Sequence, residues 1–292
     1  MDVGILMTAT ERTGDIAEIA RQVEQRGFDS LWIPEHPVIP VGFKTPVPIG
    51  SGPLPEHYNR WADPFITLTV AATVTKRIKL ATGICLLPER EPLMTAKVIA
   101  SLDRYSGGRV VLGVGAGWLR EETEVMGAQF KTRWRRLRET AEAMRACWTQ
   151  KEPSYQGELI QFPPVRCEPK PIQKSGPPIL LGGHTPKALE RVAQHYDGWC
   201  PLIFDINTFK RDVDTTRKLA REAGRNPDTL IFSPFVDPKN GEVPTDDLKQ
   251  LRDIGVSRIV LFSQKLASEV ADGAAMEWLN RTTSIVEQAQ KV

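Results

Sequence analysis

The run "IKLATGICLLPEREPLMTAKVIASLDRYSGGRVVLGVGAG", residues 78–117, decides the fold. It opens on a largely apolar stretch, 78–87, and closes on another, 109–117. A strand that is apolar along its length, rather than at alternate positions, is buried on both faces, as in a parallel sheet. Between the two, Met94, Val98, Leu102 and Tyr105 recur at helical spacing and predict a helix with that stripe inward. Gly107-Gly108 supplies the turn. Strand, helix and second parallel strand make one βαβ unit.

The same unit recurs on both sides. "DVGILMT" (2–8) reads as a strand. Thr13-Gly14-Asp15 offers helix-start chemistry, and Ile16, Ile19, Ala20 and Val23 follow as an inward face. Gly27 ends that helix before "SLWIPE" (30–35). Asp63-Pro64 opens another helix with a cap and an N1 proline. Downstream, Leu137, Ala141, Met144 and Trp148 form a stripe, then "PPILLGG" (177–183) a strand. Leu189, Val192, Ala193 and Tyr196 form the next stripe, before "GWCPL" (198–202). A helix over about 207–224, the strand "LIFSPFV" (230–236), a helix over about 246–255, the strand "SRIVLFS" (257–263) and a last helix complete the chain. Eight strands, each followed by a helix, predict a single (β/α)8 barrel over residues 1–292. The alternative, an open doubly wound sheet, carries a topological switch point between two halves, and the sequence shows no such halves.

Two segments interrupt this order. Residues 36–62, rich in Pro and Gly, follow the second strand, so they belong at the C-terminal mouth of a barrel, where long loops form walls or lids. Residues 149–177 precede the fifth strand and belong to the far face or the side. "YQGELIQF" (155–162) within them reads as a short structural hairpin.

Composition narrows the function. Lys and Arg number 38 against 36 Asp and Glu, a formal charge of +2. No large field argues for nucleic acid or a membrane surface as partner. Asp2, Glu11, Arg12, Asp15 and Glu18 interrupt any signal-peptide core, and no apolar run nears the ~20 residues that span a bilayer. Cys85, Cys147, Cys167 and Cys200 are widely spaced and read as unpaired thiols of a cytoplasmic protein. His36, His57, His184 and His195 lack metal-ligand spacing. No G-x-S-x-G marks an esterase.

Polar and glycine-rich residues collect where strands end: Glu35-His36, then Thr82-Gly83, then Gly113, Gly115, Gly117 and Trp118, then Gly182-Gly183-His184-Thr185. All fall on one face of a barrel, its active-site face. "GGHTP" puts two glycines before a helix start and suits a phosphate; an ordinary tight turn is the alternative. "GVGAGW" lacks the spacing of a dinucleotide fingerprint. Its small residues either leave room for a flat ring or fill a crowded interior.

"GFDSLWIPEH" (27–36), "LATGICLLPEREPLMTAKVIASLDRYSGGRVVLGVGAGWLREE" (80–122) and "LLGGHTPKALERVAQHYDGWCP" (180–201) resemble the luciferase-like monooxygenase superfamily, most closely its branch of oxidoreductases using the deazaflavin coenzyme F420. The resemblance covers about residues 1–205. It implies a barrel with a deazaflavin or flavin across its mouth. By that resemblance Glu35 and His36 are an acid–imidazole pair beside the ring. His36 supplies the proton that accompanies hydride transfer, and Glu35 orients it or bonds the cofactor. Gly83–Ile84 is implied to be a non-prolyl cis peptide, next to Thr82. Gly115 and Gly117 lie near the ring, and Gly182, Gly183 and His184 form the phosphate turn. The sugar-phosphate dehydrogenase of the superfamily has a carboxylate where Trp118 stands. Trp118, with His57 and Trp61 from the loop, therefore implies an apolar or aromatic substrate. The anionic tail of F420 is expected on "KTRWRRLRE" (131–139), through Arg133 and Arg135. The implied partners are a small-molecule substrate and a second copy of the chain. Flavin mononucleotide (FMN) in an oxygen-using monooxygenase, with a separate reductase, is one alternative. A non-catalytic binding protein of the same fold is another.

Overall fold

The computed structural model describes residues 1–48, 53–239, 241–263 and 273–292; residues 49–52 of the long loop lie outside the description. Parallel strands β1 (Asp2–Leu6), β2 (Ser30–Ile33), β3 (Lys79–Leu86), β4 (Val110–Gly115), β7 (Ile179–Leu181), β8 (Gly198–Trp199), β9 (Ile231–Phe232), β10 (Phe235–Val236) and β11 (Arg258–Leu261) form one sheet. Helices α1 (Ile16–Gln25), α2 (Pro64–Val74), α3 (Pro92–Ser106), α5 (Arg133–Thr149), α6 (Pro186–His195), α7 (Ile206–Glu222), α8 (Thr245–Ile254) and α9 (Ala274–Lys291) follow the strands.

The sheet is closed. Its order runs β10-β11-β1-β2-β3-β4-β7-β8-β9, and its two ends, β9 and β10, are halves of one strand interrupted at Ser233-Pro234. Ser233 N–H bonds Trp199 O and Phe235 N–H bonds Pro201 O, while Phe235 and Val236 pair with Val260 and Leu261 on the other side. The segment is bonded on both edges, so no open edge remains. The expected open-sheet alternative is excluded, and the expected strand "LIFSPFV" is this interrupted one. Pro234 lacks the N–H that an unbroken ladder needs.

The helix stripes predicted at 19–23, 137–148 and 189–196 are buried. The stripe on α3 is a correction. Met94, Val98 and Tyr105 are exposed, and only Leu102 of the four is inside. The helix buries Thr95, Ala96, Ile99, Ala100, Asp103 and Ser106 instead. Small residues there let α3 lie close between α2, α5 and the sheet. Asp103 meets the segment that precedes β7, accepting from Ile172 N–H, Gln173 N–H and Gln173 Nε2. A stripe count weighted by hydrophobicity misses a face built from small side chains and one capped carboxylate.

The predicted hairpin is present as β5 (Tyr155–Gln156) and β6 (Gln161–Phe162), antiparallel. Glu139 of α5 holds it by accepting from the N–H groups of Glu158, Leu159 and Ile160. A short helix that the sequence reading lacks, α4 (Arg120–Val125), follows β4 at the mouth. The four cysteines are free thiols.

The floor of the barrel is fastened by Arg109, at the start of β4 and 7% exposed. Its guanidinium donates to Ser106 O, Ile78 O, Ala72 O, Thr75 O and Thr75 Oγ1 at 2.7–3.1 Å. One side chain thereby satisfies the ends of α2 and α3 and the entry to β3, with no carboxylate in the set. Arg109→Leu leaves these acceptors buried and unpaired, at about 1–3 kcal/mol for each that water fails to reach. The expected result is an unfolding free energy lowered by at least ~3 kcal/mol, with a lower midpoint in a urea titration followed by circular dichroism. An unchanged midpoint would show that the floor holds without it.

Candidate active site at the barrel mouth

Strand ends and loop meet around a cavity of 320 Å3, within the usual range of small-molecule sites. Its strand-end residues are Glu35, His36, Gly83, Ile84, Gly115, Gly117, Gly182 and Gly183. Val47, Pro48, Leu54, Tyr58 and Trp61 of the long loop close over it, with Trp118 and Trp134 at the side. The loop therefore lies at the mouth, as its position after β2 requires.

The Gly83–Ile84 peptide is cis, and the β3–β4 register shifts between Thr82 and Cys85. Ile84 turns inward. A Cβ on Gly115 would stand 2.2 Å from Ile84 Cδ1, and one on Gly182 would stand 3.1 Å from it. These glycines make room first for Ile84, whose side chain then forms part of the cavity's apolar lining. Gly182 N–H bonds Val114 O within the sheet and is not free for a phosphate. Gly183, at φ +93°, turns the chain out toward α6. Thr185 caps that helix through Ala188 N–H.

Glu35 is buried, and its oxygens are committed. Oε2 accepts from Leu86 N–H at 2.7 Å and Oε1 from Arg90 Nε at 2.7 Å. Arg90 also bonds Asp63 at 2.6 Å and lies 4.7 Å from the Phe65 ring centre. The expected role of Glu35 as orienter of His36 is corrected: no bond joins the two. Glu122 of α4 takes that role. His36 Nδ1 lies 2.7 Å from Glu122 Oε2, and both side chains are buried. A carboxylate accepts, so the proton sits on Nδ1. Trp118 Nε1 donates to His36 Nε2 at 3.3 Å, which leaves Nε2 unprotonated and on the cavity side. Rings surround the imidazole: Trp61 at 5.3 Å, Tyr58 at 5.5 Å and Trp118 at 5.8 Å between centres.

Behind Glu122 stands a second acid. Glu89 is 4% exposed; Thr123 Oγ1 is 3.0 Å from its Oε1, and its Oε2 is buried without a partner. Burial, and then the Glu122 charge, push its carboxyl up to about 8. Thr123 Oγ1 also lies 3.1 Å from Leu119 O, which can only accept. With one hydroxyl proton for two neighbours, a protonated Glu89 completes the count. Gly117, at φ +76°, admits this acid: a Cβ there would stand 3.0 Å from Glu89 Oε1.

Several expected site residues lie elsewhere. Thr82 is fully buried and donates to Gly113 O. His57 packs behind Tyr58 and Trp61, outside the cavity lining, because its 3-10 turn (Glu56–Arg60) presents Tyr58 and buries the residue before it. His184 is exposed at the start of α6. Arg133 is a brace rather than a rim cation: it donates to Gly117 O and Phe130 O and stacks 3.6 Å from the Phe130 ring centre. Arg135 is paired with Glu158. Glu122, Glu89, Arg90 and Trp134 are the site residues that sequence reading missed. The one legible signal was the "REE" that follows "GVGAGWL" at the mouth. Choosing Glu122 over Glu121 needs α4, which points the two carboxylates at different partners. Glu121 takes Lys44 N–H, Thr45 N–H and Thr45 Oγ1 of the loop.

The raised Glu89 carboxyl makes stability depend on pH. The folded chain keeps a proton that the unfolded chain releases above the ordinary carboxyl value of 4.5, so stability declines as pH rises from there to about 8. The maximum slope for one group is about 1.4 kcal/mol per pH unit. Glu89→Gln removes this dependence. Its melting temperature is expected to match the parent near pH 5 and to exceed it increasingly toward pH 8. Parallel melting curves across that range would refute a neutral Glu89.

Comparison with known proteins agrees with this architecture. An uncharacterized protein of Mycobacterium tuberculosis is 37% identical over 281 residues, covering 94% of this chain and 95% of that one. An F420-dependent secondary alcohol dehydrogenase, solved with an F420–acetone adduct, superposes with a TM-score of 0.78 at 17% identity, over 99% of this chain and 98% of that one. The oxygenating constituent of 3,6-diketocamphane monooxygenase of Pseudomonas putida, solved with FMN, gives 0.74 at 17% identity, over 100% and 99%. At that identity the two structures show the fold alone. Residues 1–238 match the luciferase-like monooxygenase family, and the chain belongs to that family of oxidoreductases.

Proposed function

We propose that the chain is a deazaflavin-dependent oxidoreductase that moves a hydride between coenzyme F420 and an apolar or aromatic alcohol or carbonyl compound. The observation that carries this reading is His36, with Nε2 unprotonated on the cavity side and Nδ1–H held by buried Glu122. Hydride transfer at a carbon bearing oxygen must be matched by a proton at that oxygen, and an imidazole backed by a carboxylate handles such a proton. A bound deazaflavin would supply the carbon that gives or takes the hydride. Ile84 and the glycines at 115 and 182 offer it an apolar bed, and Gly183 leads out of the cavity toward α6.

The chain's own residues do the rest. Trp118 Nε1 occupies the place at Nε2 that a substrate hydroxyl would take. In the oxidising direction Nε2 accepts that hydroxyl's proton, and the adjacent Glu122 charge stabilises the imidazolium. In the reducing direction the same nitrogen returns it. Tyr58, Trp61 and Trp118 exclude water and suit an apolar substrate. The FMN reading, an oxygen-using monooxygenase with a separate reductase, fits the same apolar walls, and there His36 would handle the proton of oxygen reduction, so the cofactor titration below separates the two.

His36→Ala is expected to lower turnover about 100-fold or more while leaving cofactor affinity within a few-fold, as for loss of a proton-transfer group. Glu122→Gln, which keeps the hydrogen bond and removes the charge, is expected to fall between. Steady-state kinetics with a panel of secondary alcohols and ketones reads both; full turnover in His36→Ala would end the assignment. In equilibrium titration, F420 is expected to bind more tightly than FMN. Tighter FMN binding, together with oxygen uptake by the reduced complex, would give the function to the monooxygenase reading.

A further inference from the structure

Glu89 has no part in the proton transfer described so far, yet it lies directly behind it. It ends the 3-10 turn Leu87–Glu89 after β3. Its Oε1 is 3.0 Å from Thr123 Oγ1, and Thr123 is the residue after Glu122, whose Oε2 is 2.7 Å from His36 Nδ1. Glu122 and Thr123 are both fully buried. One turn of α4 therefore carries the partner of the imidazole and the partner of Glu89 side by side. Glu89 itself does not line the cavity.

The charged groups around Glu89 are otherwise engaged. Arg90, next along the chain, turns to Glu35 and Asp63. From α5, Arg136 Nε donates to Pro88 O and Arg133 Nε to Gly117 O. Burial, and then the charges of Glu122 and Glu35, favour the protonated carboxyl, against the Thr123 hydroxyl and Arg90. Around His36 the titratable neighbours besides Glu122 are Tyr58, at 5.5 Å between ring centres, and His57 behind it. The Glu89 proton thus keeps the negative charge behind the imidazole to the single one on Glu122. Loss of that proton would add a second charge where water does not screen it, and the imidazole would then keep its own proton more firmly. Groups coupled in this way lose their protons in shared steps rather than one each.

We propose that Glu89 is a positioning residue for the proton transfer: without touching the substrate, and acting through Glu122, it sets how firmly His36 holds a proton. This role rests on the reading of His36 as the proton-transfer group. It adds that the alkaline limit of carbonyl reduction, which needs an imidazolium, is governed by an acid outside the cavity. Thr123 is the adjustable part of the arrangement. Its hydroxyl, 3.1 Å from Leu119 O while Glu89 is neutral, can turn to donate to the ionised carboxylate instead.

The test is a pH titration of the full chain without cofactor, carrying nitrogen-labelled histidine and followed by NMR at the His36 ring nitrogens. The parent is expected to show two steps, the second accompanying the ionisation of Glu89 near pH 8. In Glu89→Gln, neutral at every pH, the second step should vanish, with at least ~3-fold less imidazolium left at pH 8. Thr123→Val removes the hydroxyl that favours the ionised carboxylate and should move the second step to higher pH; it keeps the test valid if Glu89→Gln fails to fold. A Glu89 of merely structural importance would change stability and leave the His36 curve in place. A single step in the parent, unchanged in either variant, would therefore overturn the role of Glu89 and leave the deazaflavin reading intact. In the F420-loaded chain, the alkaline limb of ketone reduction should fall at lower pH in Glu89→Gln than in the parent. Two steps at His36 with no F420-dependent turnover of any alcohol or ketone would overturn the deazaflavin reading and keep the coupling.

Discussion

The mouth of this barrel depends on how one buried carboxylate is satisfied. Glu35 stands at the end of β2, where water is excluded, so its charge requires partners or it would not persist. Leu86 N–H and Arg90 provide them, and Arg90 reaches on to Asp63, the cap of α2. Two consecutive βα connections, β2 to α2 and β3 to α3, are thus tied at one point. The adjacent residue, His36, inherits a fixed backbone from this clamp. Glu35 thus fixes the strand end from which His36 projects into the cavity lining.

Around that anchor the acids are differentiated by their surroundings. Glu122 meets the Nδ1–H of His36 and carries the charge that an imidazolium needs. Glu89, deeper and facing only a threonine hydroxyl, keeps its proton. Two like charges so near one another in an apolar setting would raise the cost of both. Environment alone therefore separates residues of identical chemistry into a charged partner and a neutral neighbour.

Much of this was legible in the sequence, and the remainder was illegible for definable reasons. Apolar strands such as 78–87 and 109–117 announced a parallel sheet because both faces are buried, and glycine-rich strand ends marked the functional face because that geometry is common to such barrels. Sequence reading failed where a residue's role depends on its partner. Arg133 in a basic run looks like a free cation, but folding turns its Nε to Gly117 O and its Nη1 to Phe130 O. Met94, Val98 and Tyr105 look like a core face, whereas α3 packs through small side chains that hydropathy undervalues. Glu35 beside His36 looks like a working pair, yet the two side chains take different partners, Leu86 N–H and Arg90 for one and Glu122 for the other. The long-range partner, Glu122, is 86 residues away and becomes visible only when α4 is placed.

That short helix joins two duties in adjacent residues. Glu121 fastens the loop at Lys44 and Thr45, and Glu122 fastens the imidazole. Because α4 spans only Arg120–Val125, it has no length over which to absorb a movement at one of these residues before it reaches the other. A substrate that displaces the loop thus acts on the same peptide unit that sets the imidazole's proton. On the proposed role of His36, entry to the cavity and the setting of its proton are mechanically one variable, and a variant that loosens the loop is expected to alter the pH–rate profile as well.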